Sequence, residues 1–244
     1  MKSVSKALSL LSQFTVSATP KPLGAIAADA GLDKATTRRM LVAMCEFGIV
    51  EQDPSTRKYT LGPAVLSFAR SREALHPIQN ISEEIITEVA GRTGETAHFS
   101  VPTKSGMSVL RVAESPRTIR AHIDEGAILP FHTTGAGIAY LSACDAATVD
   151  RILSGDLASY TPDSYTTPQQ VRDAIAEARS LGHAATSQTF GIDSSGLAVP
   201  VLLHDGRIAG VIGVTTPSER MNSRVRQAIV ERLRMASEKI AMML

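Results

Sequence analysis

GLDKATTRRMLVAMCEFGIVEQDPSTRKYTLG, residues 31–62, is the stretch that decides the first fold unit. Asp33 can cap a helix over 34–47, since an Asp just before a helix accepts from the free amides of its first turn, and Gly48 can end it. On a helical wheel of 34–47, Met40, Met44 and Phe47 fall on one side. Ala35, Arg38 and Arg39 fall on the other, with Thr36 at the border. Strand-like runs at 48–51 and 58–61 flank Asp53-Pro54-Ser55-Thr56, a turn-rich tip that predicts a hairpin.

Upstream, Val4, Ala7, Leu8, Leu11 and Phe14 repeat at helical spacing, with Ser3 as the expected cap. A Thr-Pro-Lys-Pro break follows, then a short apolar segment (Leu23, Ile26, Ala27, Ala30) closed by Gly31. Helix, short helix, glycine turn, helix and hairpin is the order of a winged helix-turn-helix. In that arrangement the apolar side of 34–47 docks on the helices before it. Its opposite side enters a major groove, where arginine can bond guanine O6 and N7 in pairs. The expected DNA-contacting set is Lys34, Thr36, Thr37, Arg38 and Arg39 on the helix, with Arg57 and Lys58 at the wing tip for phosphate or minor groove. Any one of these cations is as readily a plain solvated charge. The ordered set, at the helix and again at the tip, favours a polyanion partner. Arg70 and Arg72 belong to the surface of a following linker helix.

Charge distribution agrees. Residues 1–75 carry ten basic and six acidic side chains, whereas the remainder carries fifteen basic and eighteen acidic. The chain has 244 residues, enough for two domains. With no Trp and 4% aromatic residues, it has little surface for stacking unpaired bases, which argues against a single-strand binder. The N-terminus lacks the unbroken apolar core of an export signal, and no run is long enough for a membrane span. Cys45 and Cys144 stand apart without metal-ligand spacing and read as reduced thiols, so a cytoplasmic location is expected.

Beyond residue 62 the pattern changes. Helices are expected at 63–72 and 78–90, the second carrying Ile81, Ile85, Ile86 and Val89, with a joint at His76-Pro77. Strands are expected at 96–101, 107–112, 119–123, 197–203 and 208–215, and helices at 134–143, 146–153, 168–181 and 223–242. Thr167, Pro168, Gln170 and Gly182 give 168–181 a capping box, a first-turn proline and a stop. Val171, Ala174, Ile175 and Ala178 are its expected buried stripe, and Val225, Ile229, Leu233, Ala236 and Ile240 that of the last helix. Hairpin-linked strands with segregated helices argue an α+β sheet domain, not a nucleotide-binding α/β wrap.

At this point the chain resembles a known family. Residues 31–62 are similar to the DNA-binding segment of IclR-type regulators. HTTGAGIAYLS (132–142), Tyr160-Thr161, the 168–181 helix with Gly182-His183-Ala184, LAVPV (197–201) and GVTTP (213–217) resemble further motifs of that family in the same order. Departures are Ala35 for a usual Ser, Ile138 for Lys and His183 for Tyr. An acidic pair near Gln188-Thr189 is missing, and a short insertion lies around 194–196.

The resemblance implies an α+β protein with three parts. They are a winged helix-turn-helix at 1–62, a helical linker at 63–75, and at 76–244 a GAF-like effector-binding and oligomerisation domain with a central antiparallel sheet. It implies a transcriptional regulator whose grip on a palindromic double-stranded operator responds to a small organic acid. The state expected is a homodimer or a dimer of dimers.

The residues themselves support an effector site. His132-Thr133-Thr134-Gly135-Ala136-Gly137 leads small residues into a helix, whose first amides suit a carboxylate. The plainer alternative is a tight turn packed on the sheet. Carried over from the family, the pocket residues are Thr118, Ala121, Leu129, Gly135, Ala136, Ser194, Gly213 and Thr215. Thr118 and Ala121 are small for their positions, which predicts a roomy pocket. His76, His98, His122, His132, His183 and His204 show no metal spacing, and no cofactor is expected. His98 and His122, on expected strands, could face the pocket, an ordinary core or surface histidine being the simpler reading. Ser194-Ser195-Gly196 lacks a nucleophile elbow and a base. Two rivals stay open: a C-terminal domain that transforms its ligand, and an architectural DNA binder that senses nothing.

Overall fold

The computed structural model describes residues 2–15, 19–75 and 78–244. It divides into two compact units, Met1–His76 and Pro77–Leu244. His76 and Pro77, read from the sequence as a joint, lie outside the described residues.

The first unit runs α1 (Lys2–Ser12), α2 (Leu23–Asp29), α3 (Lys34–Glu46), β1 (Val50–Gln52), β2 (Tyr59–Leu61) and α4 (Ala64–Leu75). Its core is Leu10, Phe14, Ile26, Leu41, Val50 and Tyr59. Two sequence expectations are corrected here. α1 is Lys2–Ser12, so Ser3 lies inside it, and Leu10 turns inward while Val4 and Leu8 are exposed; Phe14, just past the helix, is buried as expected. On α3 the buried line is the i, i+4 pair Thr37 and Leu41, with Met40 and Met44 partly buried beside it. Phe47 follows the last helical residue and is 75% exposed, because the chain leaves the helix before that side chain can turn inward.

β1 and β2 pair antiparallel, Val50 opposite Leu61 and Gln52 opposite Tyr59. Lys21, inside the proline-bounded break, lengthens this sheet: its amide donates to Tyr59 O at 3.0 Å, and the Tyr59 amide to Lys21 O at 2.8 Å.

The second unit runs α5 (Ile78–Thr93), β3 (Thr96–Pro102), β4 (Met107–Ala113), β5 (Ile128–Leu129), α6 (Gly135–Ala143), α7 (Ala146–Leu153), α8 (Pro168–Leu181), β6 (Ala184–Ser187), β7 (Ser194–Leu202), β8 (Ile208–Pro217), a 3-10 turn at Ser218–Arg220, and α9 (Ser223–Met242). The strands form one antiparallel sheet in the order β5-β4-β3-β8-β7-β6. Both faces are covered, so the strands are apolar on both sides. Ala97, Phe99, Leu197, Val199, Ile212 and Val214 pack against α5 and α9. Val109, Ala198 and Val211 pack under α6, α7 and α8. The fold is α+β: a winged helix-turn-helix unit and a three-layer unit around a curled antiparallel sheet.

The capping box of α8 is present. Thr167 Oγ1 accepts from the Gln170 amide, Gln170 Oε1 accepts from the Thr167 amide at 3.0 Å, and Gly182 ends the helix at φ +69°. Val171, Ile175 and Ala178 are buried there. In α9 the buried stripe is Ile229, Leu233, Ala236 and Ile240, joined by Val230 and Ser237, with Val225 only partly buried.

The expected strand at 119–123 is not one. The outer edge of β4 is already occupied: Val109 donates to Ala127 O, Gly126 to Val109 O, and Val112 to the Glu125 carboxylate, while β5 pairs at Met107–Leu129. Residues 119–123 therefore loop outward. β5 and β6, too short for an alternation signal, were not expected.

Candidate nucleic-acid interface and effector cavity

The exposed side of α3 is built from its first turn. Asp33 Oδ1 accepts from the Thr36 amide at 2.8 Å, and these bonds hold its carboxyl below the usual range. Ala35, Lys34, Arg38 and Arg39 are exposed, and Arg39 Nη2 donates to Thr36 Oγ1 at 3.4 Å. Thr37 differs from the sequence expectation. It is fully buried and its hydroxyl donates to Asp33 O at 2.9 Å, because it sits on the same side of the helix as Leu41. It cannot face a groove.

At the wing, Asp53 organises the tip. Its Oδ1 accepts from Ser55 Oγ at 2.6 Å and from the amides of Ser55 and Thr56, which brings its carboxyl down to about 2. Arg57 adopts φ +59°, a left-handed conformation usually left to glycine. Gln52 Nε2 donates to Arg57 O at 2.9 Å and helps hold it. Arg57 and Lys58 point to solvent. Among the described residues, none of Lys34, Arg38, Arg39, Arg57 and Lys58 is within ion-pair distance of a carboxylate. Their charges are available to an outside anion.

In the second unit a cavity of about 470 Å³ opens between the N-terminus of α6 and the ends of β7 and β8. Thr134 caps α6, accepting from the Gly137 amide at 3.0 Å and donating to Pro130 O at 2.8 Å. The cap leaves the amides of Gly135 and Ala136, which have no intrahelical acceptor, at the cavity wall. Glycines are needed for this approach. A Cβ on Gly135 would lie 3.2 Å from the Gly196 backbone of β7, and one on Gly137 would collide with Phe131 O.

The rim is fastened by neutral hydrogen bonds. Thr133 and Thr189 each donate a hydroxyl to the other's carbonyl, the second at 2.7 Å. Thr161 Oγ1 donates to Gln188 O at 2.6 Å and Ser164 Oγ to Thr189 O at 2.7 Å. Gln188 (φ +57°) and Asp193 (φ +60°) bracket the rim loop that brings Phe190 and Ile192 to the mouth.

Of the residues expected in the pocket, Ala121, Leu129, Gly135, Ala136, Ser194 and Thr215 line this cavity. Thr118 and Gly213 do not. Thr118 is exposed on the looped-out segment, which is tied down where Thr96 Oγ1 donates to Ala121 O at 2.8 Å and Arg120 pairs with Glu114 at 2.9 Å. Gly213 instead lies beneath the imidazole of His98, its cross-strand neighbour: a Cβ there would be 2.7 Å from His98 Nε2.

His98 itself lines the cavity at 3% exposure, and its Nδ1 is sealed with no partner. Burial lowers its pKa to about 4. Alternation on β3 signals its face, since Ala97 and Phe99 belong to the α5–α9 side. Thr186, Gly196 and Phe190 also line the cavity. They come from β6, β7 and the rim loop, where the sequence carries no periodic signal. His122 lines it too, exposed beside Asp124 at 2.9 Å. No helix among the described residues is long and apolar enough to cross a membrane.

Comparison with known proteins agrees with this architecture. The IclR helix-turn-helix domain matches residues 3–54, and the bacterial transcriptional regulator IclR C-terminal domain matches residues 74–242. The transcriptional regulator XynR of Escherichia coli is 25% identical over 224 residues, 91% of this chain and 88% of that protein. An IclR transcriptional regulator from Silicibacter sp. TM1040 superposes with a TM-score of 0.86 at 33% identity, covering 99% of this chain and 95% of that one. An IclR homolog from Microbacterium hydrocarbonoxydans, solved in complex with 4-hydroxybenzoate, has a TM-score of 0.83 at 22% identity and covers 98% of both chains. The two domain matches, found in order on one chain, exclude the enzyme alternative, and this chain belongs to the IclR family of bacterial DNA-binding transcriptional regulators.

Proposed function

We propose that this regulator binds a palindromic operator as a homodimer or dimer of dimers, and that a small organic acid in the 470 Å³ cavity adjusts the binding. Lys34, Thr36, Arg38 and Arg39 contact DNA from α3, and Arg57 and Lys58 from the wing. A symmetric dimer would place two α3 helices in successive major grooves, about one helical turn or a multiple apart. Thr118, Gly213 and Thr37 drop out of the proposed contact sets on the grounds given above.

The observation that carries the effector reading is the helix N-terminus at Gly135 and Ala136, two residues that line a cavity of ligand size. The volume fits an acid larger than a short keto acid, in line with the small side chain of Ala121. The 4-hydroxybenzoate complex of the Microbacterium homolog lends support. An effector shifts operator affinity only by its differential binding to two arrangements of the protein.

The test starts by selecting operator fragments from the encoding genome with the purified full chain. Operator affinity and thermal stability are then measured with short keto acids, aromatic acids and sugar acids. A rise in melting temperature with a changed operator Kd is expected for an acid of aromatic size. Preference for the smallest acids would sink the size argument. No response to any acid would favour the architectural binder.

A further inference from the structure

His98 is an oddity for a packed β-strand. Its imidazole is 3% exposed, its Nδ1 has no partner, and Gly213 is the vacancy that admits it. A buried polar group left unpaired is costly, and an apolar side chain would avoid that cost. Nδ1 itself is sealed, so the ring can meet a ligand only through Nε2, the nitrogen that is not sealed in a residue lining the cavity. Burial holds the ring neutral at ordinary pH, so it cannot serve as counter-ion to the acid. The α6 amides already take that role.

Sheet register sets the distance between the two ends. Gly196, against which Gly135 packs, pairs with Thr215, and Ala198 pairs with Gly213. Gly213 is therefore one strand across and two residues along from Gly196, roughly 8 Å by ordinary sheet spacings. The His98 ring lies over Gly213. An acid held at the α6 amides therefore presents its far end, not its carboxylate, to His98. Leu129, Phe190 and Ile192 supply apolar wall between the two.

We infer that His98 is a specificity-determining residue that hydrogen-bonds a hydroxyl on the ligand, remote from its carboxylate, so that the effector is a hydroxylated aromatic acid. This rests on the effector reading above and narrows it. A neutral imidazole without an acidic neighbour can donate or accept by choice of tautomer, which suits a hydroxyl and disfavours a second carboxylate.

The experiment compares 4-hydroxybenzoate, benzoate and terephthalate by calorimetry on the full chain, as wild type, His98→Leu and His98→Gln. Wild type is expected to favour 4-hydroxybenzoate over benzoate about tenfold, the yield of one well-made hydrogen bond, and to reject terephthalate. In His98→Leu the ratio should fall to about one with benzoate affinity retained. His98→Gln should restore part of the preference. Removing an unpaired buried nitrogen should leave the His98→Leu melting temperature unchanged or higher. Equal wild-type affinity for benzoate and 4-hydroxybenzoate overturns the role of His98 but leaves the effector reading standing. Binding of none of the three overturns the hydroxylated-aromatic assignment, and the effector reading falls with it only if the keto and sugar acids also fail to bind. Should His98→Leu fail to fold, the wild-type ratio and His98→Gln decide.

Discussion

The two units put their chemistry in opposite places. The first has a small core, a cluster of six buried apolar side chains among the described residues, and displays its cations on the outside of α3 and the wing. The second buries sixteen on each face of its sheet and keeps its polar surprises, His98 and the α6 amides, within. A surface function tolerates substitution of the side chains that perform it. An interior one depends on backbone that cannot move.

That contrast can be broken by experiment. The largest effect is expected from Gly137→Val in the second unit. Its side chain would collide with the Phe131 backbone, which cannot yield as a flexible side chain could, so loss of the cooperative thermal transition is expected. A stable Gly137→Val protein would show that the α6 turn is looser than the contacts imply.

Next comes the first unit. Converting Arg38, Arg39, Arg57 and Lys58 together to Gln should leave the fold intact. It should also lower the salt slope of operator binding by about 3 to 4 per protomer, if each contacts phosphate. Unchanged affinity and slope would remove the basis for the interface.

A smaller effect concerns pH. The pKa of His98 is depressed in the folded state, so its contribution to stability is fully present above its unfolded value of 6.5. It is lost as pH falls toward about 4. Urea midpoints at pH 7, 5.5 and 4.5 should fall faster for wild type than for His98→Leu, by on the order of 3 kcal/mol at the acid limit. Parallel curves would mean that the ring is not sealed.

The smallest is Arg57→Gly. It relieves a left-handed residue and should stabilise the first unit by up to about 1 kcal/mol while weakening DNA binding. Such opposite signs would mark strain kept for function, whereas a fall in both would assign Arg57 to the fold alone.

Legibility in the sequence followed the same divide. Caps, glycine stops and helical periodicity place α2, α3, α8 and α9, because those signals are local. Local signals misled where two apolar stripes compete on one helix. Val4 and Leu8 read as core along with Leu11 and Phe14, yet only the latter two turn inward, beside an unexpected Leu10, and Phe47 lies one residue too late to be buried. The 119–123 run has strand composition but no free edge to pair with. Residue signals alone marked the cavity at its α6 turn and at His98 and His122, while Ala121, Leu129, Ser194 and Thr215 came from the family resemblance. His98 acquires its meaning from Gly213, more than a hundred residues away, a pairing that no spacing within either strand announces.

The threonine clasp at 133 and 189 has a consequence for how such a protein can diversify. It joins positions 56 apart in sequence, so the stretch containing α6, α7 and α8 leaves and returns at one spot. Segments whose ends adjoin are the ones that can be exchanged as a cassette. The α6 amides proposed to hold the carboxylate ride within that cassette, while His98 stays behind on the scaffold. Transplanting 133–189 from a relative would thus trade the two proposed recognition elements independently, and new chemical senses could arise by recombination that replaces only the edge strand β6 of the sheet.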